Sequence, residues 1–423
     1  MSIQHTLVEV IQQARTAASR LRKTSTKQRN DFLQAFASAL QTAAPHLRQE
    51  NDHDLAVAKT SDLSVPLLNR LTLDTSVTSL TQNPLAVMAL PDPLAAISDV
   101  RLLPNGLRVE KRREPLGVLL LIYEARPNAT IEATSLAIKS GNAIILKGGH
   151  EAQATNRALG EVIKTALQQA DLPDTCAQVV TGLSHSDTVQ LLHSADQIDL
   201  CIPRGGQKLL DFTRTQARMP VLMHGPGVCH VYVDQDANLA DAILVALNSK
   251  LHRPATCNAA ECLLVHHAIA ETFLPQFASE FFAKAEQGEM RGCEKTCTLL
   301  AKHHFQITQA SQHDYATEYL ANILNVKMVE SLDEALLHIA TYGTHHTEAI
   351  MTNAITSAER FCREVDASCV LVNASTRLHD GFELGLGAEL GISTTKFHAY
   401  GAMGLQALTC EKTVAFGNAH IRR

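Results

Sequence analysis

Three short segments of the 423-residue chain carry residue types that can do chemistry. The first is Arg253-Pro254-Ala255-Thr256-Cys257-Asn258. Apolar spacing predicts a helix over residues 239–250 and a strand over residues 262–265, and Pro254 breaks regular structure between them. Cys257 is therefore expected on a loop at a domain junction, where a thiolate can act as a nucleophile. Composition alone leaves a buried structural cysteine open, here as for the other nine cysteines. The second segment, Glu124-Ala125-Arg126-Pro127-Asn128, follows the apolar run 117–123. Arg126 can bind an anion there and Asn128 can donate to an oxyanion; Pro-Asn is also ordinary turn chemistry. The third is Arg204-Gly205-Gly206, after a fourth apolar run. Glycines at a helix start let backbone N–H groups approach an anion, and a plain tight turn is the alternative.

The elements that must position these segments follow from periodicity. Residues 1–58 read as helical, with Val8, Ile11, Ala14, Ala18 and Leu21 on one stripe and Phe32, Leu33, Phe36, Ala37 and Leu40 on another. Prolines at 66, 84, 91, 93 and 104 break the pattern, and residues 107–113 alternate weakly like an exposed strand. From 116 onward short apolar runs (117–123, 143–146, 178–181, 198–202) alternate with helical stretches (130–139, 151–169, 186–194 and one after 206). Gly141-Asn142 closes the first of these helices. The rhythm returns with strands expected at 262–265, 326–329, 348–352 and 369–373, and with a helix at 331–342 opened by a Ser331/Glu334 capping box. Strands alternating with helices mean βαβ units and parallel sheets covered on both faces. Such sheets take ligands at the carboxyl ends of their strands. Residues 375–407 are Gly-rich and suit a site-lining loop or an interface arm.

Composition narrows the function classes. Lys+Arg total 37 against Asp+Glu 43, a formal charge of −6, which argues against binding nucleic acid by phosphate neutralisation. No apolar run approaches the ~20 residues of a membrane helix, and the first residues carry no secretory pattern; a soluble, cytoplasmic protein is expected. The cysteines are scattered without a CxxC pair, so a disulfide scaffold is not expected. Cys293 and Cys297 lie four apart with no second ligand pair, and His303-His304 and His345-His346 lack metalloprotease spacing, so no metal is assigned.

Taken together, an Asn after the first core strand, Lys147 ending the second, a Gly turn after the fourth and a junction cysteine resemble the aldehyde dehydrogenase superfamily. The strings EPLGVLLLIYEARPNATIEATSLAIKSGNAIILKGG, IDLCIPRGG, HRPATCNAAECLLV, VDASCVLVNASTR and DGFELGLGAELGIST resemble its gamma-glutamyl phosphate reductase family, over about residues 5–410. The resemblance implies an α/β, aldehyde dehydrogenase-like fold with two doubly wound parallel-sheet domains and an oligomerisation hairpin and arm. It places an NADP-binding domain at 1–98 and 114–238, a catalytic domain at 239–385 and the arm at 99–113 and 400–423, and it implies a homodimer or homotetramer. It implies NADPH-dependent reduction of L-glutamyl 5-phosphate to L-glutamate 5-semialdehyde and phosphate, in proline biosynthesis. A functional link to glutamate 5-kinase follows, and a kinase domain of the type fused upstream in some relatives is not expected here. By the same resemblance Cys257 is the nucleophile and Asn128 completes the oxyanion hole with the Cys257 N–H. Lys147 holds the adenosine ribose, Glu318 the nicotinamide ribose, and Arg204-Gly205-Gly206 the diphosphate side.

Departures sharpen the reading. NAD-preferring relatives place an acid three residues after the strand-end lysine; here that residue is His150, which favours NADP(H), with Glu151 adjacent. Hydrolytic relatives place a general-base glutamate 34 residues before the nucleophile; here that residue is Met223, beside His224. Methionine accepts no proton, so water attack loses a contribution of about 10²–10⁴-fold. Tyr400 stands where an arginine is expected. The alternatives carried forward are a general aldehyde dehydrogenase and a non-catalytic protein that keeps the fold.

Overall fold

The computed structural model describes residues 3–61, 63, 65–223 and 225–422. The chain divides into two compact units, one built from 1–223, 385–391 and 402–423, the other from 224–384 and 392–401. The break falls before residue 239, the expected boundary, because Cys229–Val233 is an interior strand of the second unit's sheet.

The first unit opens with helices α1 (Ile3–Leu21), α2 (Thr26–Thr60), α3 (Val65–Leu71) and α4 (Val77–Ala89). Ser25 caps α2 by accepting from the Gln28 N–H, which satisfies one of the free donors at a helix start. On α1 the expected stripe holds at Ile11, Ala14, Ala18 and Leu21, but Val8 is exposed and Leu7 takes the buried place. The prolines between 66 and 104 interrupt less than expected, since Pro84 lies within α4. Strands β1 (Ile97–Leu102) and β2 (Arg108–Pro115) form an antiparallel hairpin. Then come β3 (Val118–Tyr123), α5 (Pro127–Lys139), β4 (Ala143–Gly148), α6 (Gln153–Gln169), β5 (Ala177–Val180), α7 (His185–His193), β6 (Leu200–Arg204) and α8 (Gln207–Gln216). All six residues of β3 are buried, as a parallel strand covered on both faces requires. Helix α5 starts earlier than expected, with Pro127 in its first turn, where a missing N–H costs nothing. Gly141 ends it at φ +80, a conformation that glycine adopts without strain. The sheet order is β5-β4-β3-β6, all parallel.

The second unit runs β7 (Cys229–Val233), α9 (Leu239–Leu251), β8 (Ala260–His266), α10 (His267–Lys284), β9 (Glu289–Gly292), α11 (Glu294–Lys302), β10 (Thr308–Gln309) and α12 (Gln312–Tyr315). It continues with β11 (Ile323–Val329), α13 (Leu332–Tyr342), β12 (Thr347–Met351), α14 (Ile355–Glu364) and β13 (Cys369–Val372). Its seven strands are parallel, in the order β10-β9-β11-β8-β7-β12-β13. Phe273, Phe277 and Phe281 stack along the buried face of α10. The capping box at α13 is half formed: Ser331 accepts from the Glu334 N–H, but the Glu334 carboxylate accepts from Glu330 instead. Three strands, β7, β9 and β10, go beyond those the apolar runs point to; β9 and β10 are four and two residues long, too short for periodicity to register. The chain ends with the two-residue strands β14 (Ile392–Ser393) and β15 (Gly401–Ala402), followed by β16 (Thr409–Phe416). Strand β16 pairs antiparallel with β2, so the two segments expected to form an arm share one three-stranded sheet of the first unit.

Candidate active site

In the first unit β3, β4 and β5 step one way across the sheet and β6 returns to the far side of β3. The loops after β3 and β6 therefore open where the strand order reverses, the usual ligand position in such sheets. They are tied together: the Glu124 N–H donates to the Arg204 carbonyl at 3.0 Å, and the Glu124 carboxylate accepts from the Gly206 N–H at 2.7 Å. A Cβ on Gly205 would lie 2.4 Å from Glu124 Oε2 and 2.7 Å from Leu209 Cδ2, so the turn accepts only glycine without rearrangement. Ala125 adopts φ +41, a left-handed conformation that costs a non-glycine residue about 1–3 kcal/mol. Its N–H donates to Glu151 Oε1 at 2.5 Å. Two carboxylates thus occupy backbone donors that an anion would otherwise find free.

Beside this loop lies a cavity of about 410 Å³, lined by residues that include Tyr123, Glu124, Lys147, Gly149, Glu151 and Thr181. Burial holds the Lys147 ammonium below its ordinary range, while Glu151 and Glu124 favour its charged form. Of the six residues named from the sequence in this unit, Lys147 lines the cavity; Arg126, Asn128, Arg204, Gly205 and Gly206 do not. Arg126 is the N-terminal flanking residue of α5, and Asn128, in its first turn, is exposed. The Arg204 guanidinium packs over Gly391, where a Cβ would lie 2.3 Å from Nη1. His150 is almost fully exposed, whereas the Glu151 carboxylate is mostly buried beside it.

In the second unit the nucleophile candidate is held by its backbone. The Thr256 hydroxyl donates to the Arg253 carbonyl at 2.8 Å, and the Ala259 N–H donates to the Thr256 carbonyl at 3.0 Å. The half-buried Cys257 offers its carbonyl to the Cys229 thiol at 3.3 Å. Gly227 presses on the same carbonyl so closely that a Cβ would lie 1.5 Å from the oxygen. The Gly227 N–H donates to Glu318 Oε1 at 2.8 Å. The two residues named from the sequence in this unit, Cys257 and Glu318, are therefore brought to opposite sides of one glycine. Asn258 fixes the next residue by donating to the His379 carbonyl at 3.0 Å.

Beneath the loop, Lys250 and Glu261 form a fully buried ion pair at 2.7 Å. Burial raises the Glu261 carboxyl to about 7, against the pull of Lys250, and burial lowers the Lys250 ammonium against the pull of Glu261. Burial also pushes the Cys229 and Cys262 thiols well above their ordinary range, which leaves both inert as nucleophiles. Cys262 lies with His230 and His338 in a buried group in which the thiol meets His338 Nε2 at 3.6 Å and His230 Nδ1 meets Glu348 at 2.9 Å. Tyr400 donates to Asp366, which also pairs with Lys396 at 2.7 Å. Met223 is half-buried, and His224 lies outside the described residues. The sequence reading missed Gly227 and the Glu124 carboxylate's hold on the loops of the first unit, and it named Glu151 only as the neighbour of His150, not for its bond to the Ala125 N–H. The signals present were acids flanking a glycine turn and the Gly225-Pro226-Gly227 run.

Comparisons with known proteins agree with this architecture. The aldehyde dehydrogenase family model matches residues 3–296. The gamma-glutamyl phosphate reductase of Desulfatibacillum aliphaticivorans is 46% identical over 423 residues, covering 100% of both chains. That of Meiothermus ruber is 48% identical over 413 residues, covering 97% of each. The crystal structure of the Thermotoga maritima gamma-glutamyl phosphate reductase matches with a TM-score of 0.93 at 38% identity, covering 99% of this chain and 100% of that one. Near-half identity along the entire length, on the same arrangement of sheets, means that the chain belongs to the aldehyde dehydrogenase family, among its gamma-glutamyl phosphate reductases.

Proposed function

We propose that the protein reduces L-glutamyl 5-phosphate to L-glutamate 5-semialdehyde and phosphate with NADPH, a step of proline biosynthesis. Its full-length identity to reductases of that name carries the reading. The rigid cysteine loop supplies the chemistry. The Cys257 thiolate attacks the acyl carbon, the C–O bond to phosphate breaks, and phosphate leaves with the electron pair, giving a thioester. Asn128 and the Cys257 N–H donate to the oxyanion of the tetrahedral intermediate; losing one such donor typically costs ~2.7–4 kcal/mol. Reduction of the thioester carbon gives a thiohemiacetal, which collapses to the semialdehyde and regenerates Cys257.

The residues present fit a dinucleotide. The cavity beside the β3/β6 reversal is within the ~300–1,000 Å³ of small-molecule sites, it carries the buried Lys147 cation, and a glycine turn opens the following helix. Lys147 would hold the adenosine ribose, Arg204-Gly205-Gly206 the diphosphate side and Glu318 the nicotinamide ribose. When bound, NADPH supplies the hydride. Glu124 must release the Gly206 N–H for a phosphate oxygen to take its place. Arg126, at the mouth of α5, is the candidate for an anionic group of the substrate.

Met223 stands where a hydrolytic enzyme needs a base, so the thioester exchanges with phosphate rather than water. Purified protein given semialdehyde, NADP+ and phosphate tests this: the reductase forms NADPH in proportion to phosphate, a hydrolytic dehydrogenase does so without it, and a non-catalytic protein forms none. We further propose a homodimer or homotetramer assembled through the β1-β2-β16 sheet, where Ile97, Val100, Leu102 and Phe416 are exposed. Light scattering measures this directly. A cytoplasmic location and a functional link to glutamate 5-kinase belong to the same proposal, and no described helix is long and apolar enough to cross a membrane.

A further inference from the structure

We infer that Arg377 forms the phosphate subsite of the Cys257 loop, taking the dianion that leaves the acyl carbon and, in the reverse direction, the free phosphate that attacks the thioester. This rests on the proposed acyl-phosphate chemistry. Arg377 sits in a single 3₁₀ turn, Thr376–Leu378, just after β13. The turn is fastened to both sides of the nucleophile loop. Ahead of the loop, Ser249 of α9 accepts from the Thr376 N–H at 3.2 Å and meets the Ser375 hydroxyl at 3.1 Å. After it, Asn258 donates to the His379 carbonyl. The turn that carries Arg377 is held beside the Cys257 loop by contacts independent of the arginine's own side chain.

The guanidinium is under-used. Arg377 Nε is buried and has no hydrogen-bond acceptor, and among the described residues no carboxylate stands within ion-pair distance of it. Asp380 acts on it only at longer range and already accepts from the N–H groups of Phe382 and Glu383. Arg253 presses a like charge against it, and a negative charge on Cys257 favours its charged form. Arg377 is half-buried, and shielding Nε without an acceptor costs free energy; a bound anion supplies the missing acceptor. The buried cation beneath the loop, Lys250, is spent on Glu261. Helix α9 brings its carboxyl end toward the loop, which is the wrong pole for an anion. The planar fork of arginine matches phosphate oxygens two at a time. Phosphate is the part of the substrate at stake because a single oxygen joins it to the carbon that Cys257 attacks, whereas the α-carboxylate lies at the far end of the glutamyl chain. The step stays balanced: S–C forms, C–O breaks, and the electron pair departs on phosphate beside Arg377, with no redox change.

The test needs neither NADPH nor turnover. Iodoacetamide alkylation of Cys257 is timed by mass spectrometry at increasing inorganic phosphate, with chloride matching ionic strength. In the wild type phosphate slows alkylation. In Arg377→Gln the phosphate concentration giving half protection rises about tenfold or more, and Arg377→Lys restores part of it. Equal protection in Arg377→Gln, or no protection of the wild type, overturns the inference. Melting temperatures of the variants check folding, and Arg377→Lys carries the comparison if the glutamine variant does not fold. Turnover is read separately: its absence counts against the proposed reaction, while the protection series still decides the subsite.

Discussion

The two units place their chemistry on opposite edges of their sheets. In the first, the candidate residues follow the carboxyl ends of β3, β4 and β6, at the strand-order reversal. In the second, Gly227, Cys257 and Glu318 all precede strands, namely β7, β8 and β11. Helix N-termini follow the carboxyl edge and favour anions; helix C-termini lead into the amino edge and do not. The charge around each site is inverted to match. The first unit has backbone donors to spare at this edge and occupies them with Glu124 and Glu151. The half that must carry a thiolate and a phosphate keeps an arginine without an acid. Acids guard the edge where the backbone already favours anions, and a free cation serves the edge where it does not.

The comparison breaks first at Cys257. Cys257→Ala is expected to abolish turnover in both directions while fluorescence titration still detects NADPH binding; Cys262→Ala, in buried β8, should keep most turnover. Retention of more than a few per cent of wild-type activity in Cys257→Ala would remove the nucleophile from the second unit. Next is the pair under the loop. Lys250→Met leaves Glu261 as an uncompensated buried carboxylate and should cost about 3–5 kcal/mol in denaturant titration. The loss should deepen as pH rises through about 7. Burial already raises Glu261 from 4.5 to about 7, so a stability contribution present at low pH disappears as the group ionises. A loss that shrinks with rising pH contradicts this.

Gly227→Ala has no room beside the Cys257 carbonyl. A displacement of about 1 Å at the nucleophile costs on the order of 10²-fold in kcat. Equal kcat would mean that the loop is not positioned from below. The smallest effect is Glu151→Gln. It keeps a hydrogen-bond acceptor for Ala125 but removes a negative charge beside Lys147, so NADPH should bind about fivefold tighter, in keeping with about 1 kcal/mol for a screened charge pair. Weaker binding would show that Glu151 helps the cofactor rather than opposing it.

Much of the fold was legible because buried parallel strands read as apolar runs: β3, β4, β6, β8 and β12 all lie where such runs stand. What escaped has physical causes. Strand β7, Cys-His-Val-Tyr-Val, carries the polar His230, which is buried with its Nδ1 and backbone N–H paired to Glu348, so its apolar pattern is interrupted. The domain break at 223 follows from that strand. The site was legible unevenly. Cys257 and Lys147 sit in motifs whose residue types announce them. Gly227 and Arg377 stand out through position, in a glycine run and on a 3₁₀ turn, which reveals nothing until the chain is folded. The rule that parallel sheets bind at their carboxyl edge points to the loops after β3 and β6, whereas Cys257 precedes β8.

The central claim is that a Cys257 thioester is exchanged with phosphate, because no carboxylate stands at Met223 to activate water. The most direct measurement follows NADP+ reduction by glutamate semialdehyde in phosphate-free buffer and then on addition of phosphate or arsenate. The account predicts negligible steady-state NADPH formation until the oxyanion is added, and a rate that then rises with its concentration. Rapid oxidation without phosphate, with free glutamate as the product, would contradict it.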